Sequence, residues 1–230
     1  MDLCHVAHLG LIEYHHAWDL QKHLVDQVSR AQRPNTLLLL QHPHVYTLGR
    51  RGQRQDILLD EARLQTLGVQ VVESDRGGQV TYHGPGQLVA YPIVNLRDWG
   101  GPLKYVRTLE QVMISTLADY GLQATLIPGL TGVWVKDAKI GAIGVKISRG
   151  VAHHGLALNV SPDLSYFQHI IPCGITDKSV ASMQALLGKP VSLEDVAYTL
   201  QFHFGRLMSL RMLEIDPIKE GLQPQSASRS

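Results

Sequence analysis

With 230 residues, 44% of them apolar and 18% charged, the chain can build one domain around its own core and is too apolar to stay unfolded. Lysine plus arginine number 21 against 20 for aspartate plus glutamate, and a net charge of +1 argues against a partner held by bulk positive charge, nucleic acid above all. The longest apolar stretch, Leu37 to Leu40, cannot cross a bilayer, and Met1-Asp2-Leu3-Cys4-His5 has no basic region leading into an apolar run, so no membrane association and a cytoplasmic location are expected.

In chain order, Ala17, Leu20, Leu24 and Val28 repeat at helical spacing, which predicts a helix over 14–31 closed by Pro34. Residues 36–41 read as a buried strand, 60–67 as a short helix ended by Gly68, and 69–73 as a strand leading into a glycine-rich run. Leu88-Val89-Ala90-Tyr91-Pro92-Ile93-Val94 reads as another buried strand, and Val106, Leu109, Val112, Met113 and Leu117 mark one side of a helix over 103–120. From 124 to 160, short strands broken at Pro128-Gly129, Gly132, Asp137 and Gly150 look like antiparallel hairpins. Ser192 with Asp195 three residues on starts a last helix, with Val196, Leu200, Phe204 and Leu207 on its apolar face. The expected fold is α+β: a single domain over 1–216 with a mainly antiparallel or mixed sheet flanked by helices, then a polar, disordered tail over 217–230.

Chemistry concentrates in four places. Arg76-Gly77-Gly78-Gln79-Val80-Thr81-Tyr82-His83-Gly84-Pro85-Gly86-Gln87 packs four glycines and a proline around one arginine, one histidine and two glutamines, the composition of a binding loop whose backbone comes close to a ligand. It has neither the Gly-Lys-Ser/Thr end of a P-loop nor a dinucleotide fingerprint. Within it, His83 can bond a substrate carbonyl, orient a neighbour, or be purely structural. Lys139-Ile140-Gly141-Ala142-Ile143-Gly144-Val145-Lys146 alternates small and branched residues, as a strand does when a backbone or ligand lies close to it. A lysine there can favour a nearby thiolate or take a proton, but spacing does not choose among Lys136, Lys139 and Lys146.

His153-His154-Gly155-Leu156-Ala157-Leu158-Asn159 joins a histidine pair to another small-residue strand. Neighbours on a strand point to opposite faces, so the pair is not expected to chelate, and no metal site is expected. Pro172-Cys173-Gly174 presents a thiol between a fixed approach and an open far side; a nucleophile and an inert buried cysteine both fit that context. Cys4, without such a turn, is expected in the core, and the pair fits reduced thiols better than a disulfide. Arg50-Arg51 with Arg54 most simply forms a solvated turn.

These four segments, in this order, resemble the lipoyl (octanoyl) transferase family, relatives of the biotin and lipoate protein ligases. The resemblance runs from the first helix to about Leu187 and leaves out the tail. It implies the ligase-type α+β catalytic domain and an acyltransferase that moves an octanoyl group from acyl carrier protein to a lysine of lipoate-dependent proteins, such as 2-oxoacid dehydrogenase E2 subunits and the glycine cleavage H protein. It makes Cys173 the nucleophile, carrying an acyl-thioester, and Lys139 the residue that lowers its pKa. Arg76, Gly77, Gly78, Gln79, Val80, Thr81, Tyr82 and His83, Ala142, Ile143 and Gly144, and Gly155, Leu156 and Ala157 match the substrate-binding segments. Small residues on the last two are expected to leave a slot for the eight-carbon chain, and no cofactor is implied. An acidic carrier calls for a local basic patch, for which Arg50, Arg51 and Arg54 are the candidates. The rival is an ATP-dependent lipoate or biotin protein ligase, which activates its acid as an adenylate and needs no cysteine.

Overall fold

The computed structural model describes residues 1–171 and 179–222. In order they form β1 (Asp2–Leu11), α1 (Tyr14–Ser29), β2 (Asn35–Gln41), β3 (Val45–Leu48), α2 (Glu61–Thr66), β4 (Gln70–Glu73), β5 (Val80–His83), β6 (Gln87–Asn95), α3 (Pro102–Asp119), β7 (Thr125–Ile127), β8 (Leu130–Val135), β9 (Ala138–Ser148), β10 (Val151–Asn159), α4 (Met183–Leu187), α5 (Leu193–Met208) and β11 (Leu210–Glu214). An eight-stranded sheet runs β11-β1-β2-β6-β10-β9-β8-β7, and a three-stranded one runs β4-β3-β5. β1 pairs parallel with β11 and β2, while β2 through β7 are antiparallel neighbours, so the α+β expectation of a mixed, mainly antiparallel sheet holds.

Local chemistry explains the edges of these elements. Ser192 accepts from the Asp195 N–H at 3.1 Å and starts α5 where the capping pattern placed it. The turn between β9 and β10 holds both Arg149 and Gly150 at positive φ, 53° and 79°, as a two-residue hairpin demands. Four strands, β1, β3, β5 and β11, have no counterpart in the sequence reading, β5 because it lies inside the run read as a loop. β1 is buried on both faces, with Cys4 and Val6 on one and Ala7 and Leu9 on the other, so its pattern does not alternate.

Helices α3 and α5 cover one face of the large sheet, packing Leu109, Met113, Leu200 and Phe204 on Leu37, Leu39, Leu88 and Leu158. Cys4 lies in this core as expected, and burial drives its thiol up to about 12, too high for a nucleophile. α1 covers the other face through Ala17, Leu24 and Val28. The small sheet meets α1 at Tyr14, Val45 and Val72. The first residues of the expected tail are docked instead: Glu220 pairs with Arg33 at 2.9 Å, and Leu222 is buried among the residues under α1, so its apolar side chain holds 217–222 to the domain. Among the described residues no helix is long and apolar enough to cross a membrane.

Candidate active site

The glycine-rich loop is stretched between the two sheets. Its carbonyls at Arg76, Gly78 and Gln79 accept from the N–H groups of Arg50, Arg51 and Gly49, and the Gly77 N–H donates to Val145 on β9. The Arg76 guanidinium, which the sequence offers to a ligand, ties the loop together: it donates to Thr47 O at 2.6 Å, Thr47 Oγ1 at 2.8 Å, Gln79 O at 2.8 Å and Gly77 O at 3.0 Å. A buried arginine needs such acceptors, and backbone carbonyls supply them. Gly78 sits at φ +94°, a conformation that favours glycine.

Between this loop and the hairpin β9–β10 lies a pocket of about 820 Å³, counted to its open mouth. Its wall contains Arg76, Gly78, Gln79, Val80, Thr81, His83, Lys139, Ala142, Ile143, Gly144, Gly155, Leu156 and Ala157. Gly77 and Tyr82 stand outside it, Gly77 against Val145 and Tyr82 in a core with Tyr46 and Ile170. Tyr91, Phe167 and Val180 line it without having been singled out, and Gln87, Gly141, His154 and Asn159 belong to the quoted motifs but not to the candidate set. Tyr91 had one signal, as the lone hydroxyl in an otherwise apolar strand.

The glycines of these two strands line the pocket and also let the backbone pack closely. A Cβ on Gly144 would lie 2.8 Å from Gly77 O, one on Gly155 2.2 Å from Ala90 O, and one on Gly141 2.5 Å from Met113 Sδ. Their missing side chains let neighbouring chain and core close in, and Ala142 and Ala157, a directly paired couple across β9 and β10, line the pocket with them.

Polar groups buried under α1 form the far wall. Pro92 lies within β6 with its ring 2.6 Å from where a Gly155 Cβ would be, and the β6–β10 pairing skips His153 to Gly155. His154 takes φ +54°, and its freed N–H goes to Gln21 Oε1 at 2.7 Å. This kink overturns the expectation that the two histidines face apart: their rings stack with centroids 5.1 Å apart. Asp75, His153 and His154 bring ligand atoms within 4.8 Å of one another, but the Asp75 oxygens are already engaged, Oδ1 by His154 Nε2 at 2.7 Å and Oδ2 by Lys146 at 2.6 Å. A cation would have to displace the Lys146 ammonium, so the group reads as a hydrogen-bonded ion network.

Burial works against the Asp75 charge, yet the Lys146 and His154 hydrogen bonds outweigh it and hold the carboxyl at about 2. Burial pushes His154 down to about 4 despite that partner, so at neutral pH it is neutral and donates from Nε2. His42 is pushed down to about 4, again by burial; its Nδ1 donates to Ile12 O at 2.7 Å, and its Nε2 accepts from Tyr91 OH at 2.8 Å.

Lys139 stands at the pocket wall with its ammonium 5.5 Å from the Trp134 ring centre. Its N–H donates to Ser179 O at 2.9 Å and its carbonyl accepts from the Ala181 N–H at 2.9 Å, so the chain that resumes at Ser179 is laid on this residue. Lys146 is committed to Asp75, and Lys136 is an exposed turn residue, so of the three candidate lysines Lys139 is the one at the pocket. Cys173 lies outside the described residues. Arg50 and Arg51 are exposed beside the loop, whereas Arg54 is spent on Ile57 O, Leu59 O and Glu61.

Residues 13–205 match the model of the lipoyl protein ligase A/B catalytic domain. The chain is similar to an octanoyltransferase of Solibacter usitatus, 51% identical over 91% of this chain and 95% of that protein. It is likewise 52% identical to an octanoyltransferase of Chloroflexus aurantiacus, over 89% of this chain and 94% of that one. In fold it resembles a putative lipoate protein ligase from T. acidophilum at TM-score 0.74 and 17% identity, covering 96% and 92% of the two chains. The biotin protein ligase of Aquifex aeolicus follows at TM-score 0.54 and 13% identity, covering 89% and 70%.

Proposed function

Because the chain belongs to the family of the lipoyl protein ligase A/B catalytic domain, and within it to the octanoyltransferases, we propose that it carries an octanoyl group on Cys173 between two partners. The donor is octanoyl-acyl carrier protein, and the acceptor is the target lysine of a lipoyl domain, on 2-oxoacid dehydrogenase E2 subunits and the glycine cleavage H protein. The reading places the protein in the cytoplasm with its carrier-bound donor.

The observation that carries the residue roles is Lys139: it is at the wall of a largely apolar pocket, and its backbone pairs with Ser179, six residues after Cys173. Thioester exchange onto a cysteine is nearly balanced in free energy, since one thioester replaces another, so no ATP is needed and the protein has only to lower barriers. A thiol of ordinary pKa is a few per cent ionised at neutral pH; lowering it by about 1.5 units raises the thiolate roughly fifteenfold. A protonated Lys139 would do this, and in neutral form would take a proton from the attacking lysine, so the two groups titrate as a pair. Burying the acyl chain along Val80, Ile143, Leu156 and Ala157 contributes about 0.8 kcal/mol per methylene. The ATP-dependent ligase reading is not favoured.

Incubation with octanoyl-acyl carrier protein and no ATP should add a hydroxylamine-labile octanoyl mass to the wild type and none to Cys173→Ser. Lys139→Ala should slow turnover at least about a hundredfold. Lipoyl-domain modification that appears only with free octanoate and ATP would sink the proposal.

A further inference from the structure

Two backbone carbonyls decide which nitrogen of a buried histidine carries the hydrogen. The Asn159 side-chain atom 3.0 Å from Ala181 O faces a group that can only accept, so it is the amide nitrogen, and Oδ1 is turned to Gln87. Gln87 is constrained twice, because its atom 3.2 Å from Tyr82 O and 2.9 Å from Asn159 Oδ1 must be nitrogen. Its Oε1 is left facing His83 Nδ1 at 2.7 Å, and an amide oxygen only accepts, so Nδ1 bears the hydrogen. Burial, and then the neighbouring His42, push His83 down to about 3, so the ring is neutral and Nε2 is a bare lone pair. His83 lines the pocket, and Nε2 makes no hydrogen bond among the described residues. A substrate carbonyl, which the sequence allows as its partner, is therefore the wrong partner: both would be acceptors.

We propose that His83 Nε2 is the hydrogen-bond acceptor that holds the attacking amine of the substrate lysine in the second half-reaction. The inference rests on the transferase reading. In the first half-reaction the cysteine thiolate attacks the donor's thioester carbonyl and the carrier sulfur leaves with the electron pair of the broken carbon–sulfur bond, taking a proton from the Lys139 ammonium, which is left neutral; the reacting donor atoms are acceptors, to which a fixed lone pair offers nothing. In the second, the amine nitrogen bonds to the acyl carbon and the carbon–sulfur bond breaks with its electron pair going to Cys173. One of the two amine hydrogens leaves as a proton to neutral Lys139; the other stays on the product amide, and this is the one His83 holds. The ring never changes protonation, as suits one so hard to protonate. Holding that hydrogen aims the nitrogen lone pair at the acyl carbon. Gln87 and Asn159 are positioning residues, and through Ala181 they tie the acceptor to the stretch of chain that pairs with Lys139.

The test separates the half-reactions in the full-length chain. Wild type, His83→Phe and His83→Gln are acylated with octanoyl-pantetheine, followed by intact mass, and then given a lipoyl domain in a single turnover. Phe keeps the ring volume without a lone pair, and Gln restores an acceptor oxygen near the same place. Whatever either substitution does to acylation, transfer should slow about 30- to 100-fold more than acylation in Phe, and that gap should close to within about tenfold in Gln. Equal slowing of both halves, or transfer at the wild-type rate in Phe, overturns the assignment. If Phe does not fold, His83→Met, apolar and adaptable, carries the same expectation. A wild-type protein that forms no acyl-enzyme, from this thioester or from the carrier-bound one, would strike the transferase reading itself and this inference with it.

Discussion

The two faces of the central sheet are built from different material. Under α3 and α5 the contacts are almost wholly apolar, and Glu110, the one buried carboxylate among the described residues, is answered by Arg107 at 2.6 Å and the Gly132 N–H at 3.1 Å. Under α1 an apolar floor of Ala7, Leu38 and Val89 gives way to buried polar groups with partners of their own: Tyr14 bonds Ser74, Gln21 the His154 N–H, His42 both Ile12 O and Tyr91, His83 Gln87, and His154 Asp75. An apolar face tolerates exchange of one hydrocarbon for another of similar volume, whereas each polar group inside must keep its own partner. The pocket lies on the face where that demand is strict.

The largest stability contrast should come from two glycines. On Gly155 a methyl group would strike Ala90 O on the neighbouring strand, which cannot yield, so Gly155→Ala should cost about 3 kcal/mol or more. On Gly141 it would meet the sulfur of Met113, the end of a flexible side chain, so Gly141→Ala should cost about 1 kcal/mol. Equal urea midpoints for the two would erase the distinction between the faces.

Acid should act through the polar face. His42 and His154 titrate near 4 in the folded chain against 6.5 unfolded, so the native state refuses protons the unfolded chain accepts. Their contribution is complete above about pH 6.5 and is lost as pH falls toward 4; for His42 alone the loss by pH 5 is about 2 kcal/mol. His42→Gln should flatten that part of the stability profile while lowering stability at neutral pH. Unfolding curves across this range check it, and an unchanged slope would mean that His42 is not kept neutral in the fold. A modest effect is expected at Gln21→Leu, which leaves the His154 N–H unpaired for about 1–2 kcal/mol, read as a lowered midpoint with the same cooperativity.

The helices other than α4, the hairpins, the small-residue strands and the glycine-rich loop could be found along the chain, because each depends on residues near one another in sequence: the spacing of Ala17 to Val28, the Ser192 cap, the turn at Gly150. The resemblance, by matching motifs, singled out Lys139 and Cys173 as candidates for the chemistry. Contacts between distant residues had no such signal. Arg76 reads as a ligand-binding arginine until Thr47, 29 positions earlier, is seen to accept from it. His153 and His154 read as facing apart until Pro92 and Gln21 bend the strand between them. The glycines read only as room for a ligand until the Gly77 and Ala90 carbonyls are seen to pack against them as well. Sequence by itself determined which elements form and which residue types are on hand. The tertiary structure alone decided where each lone pair and N–H points, because a hydrogen-bond network takes its directions from partners as far apart as His83, Gln87, Asn159 and Ala181.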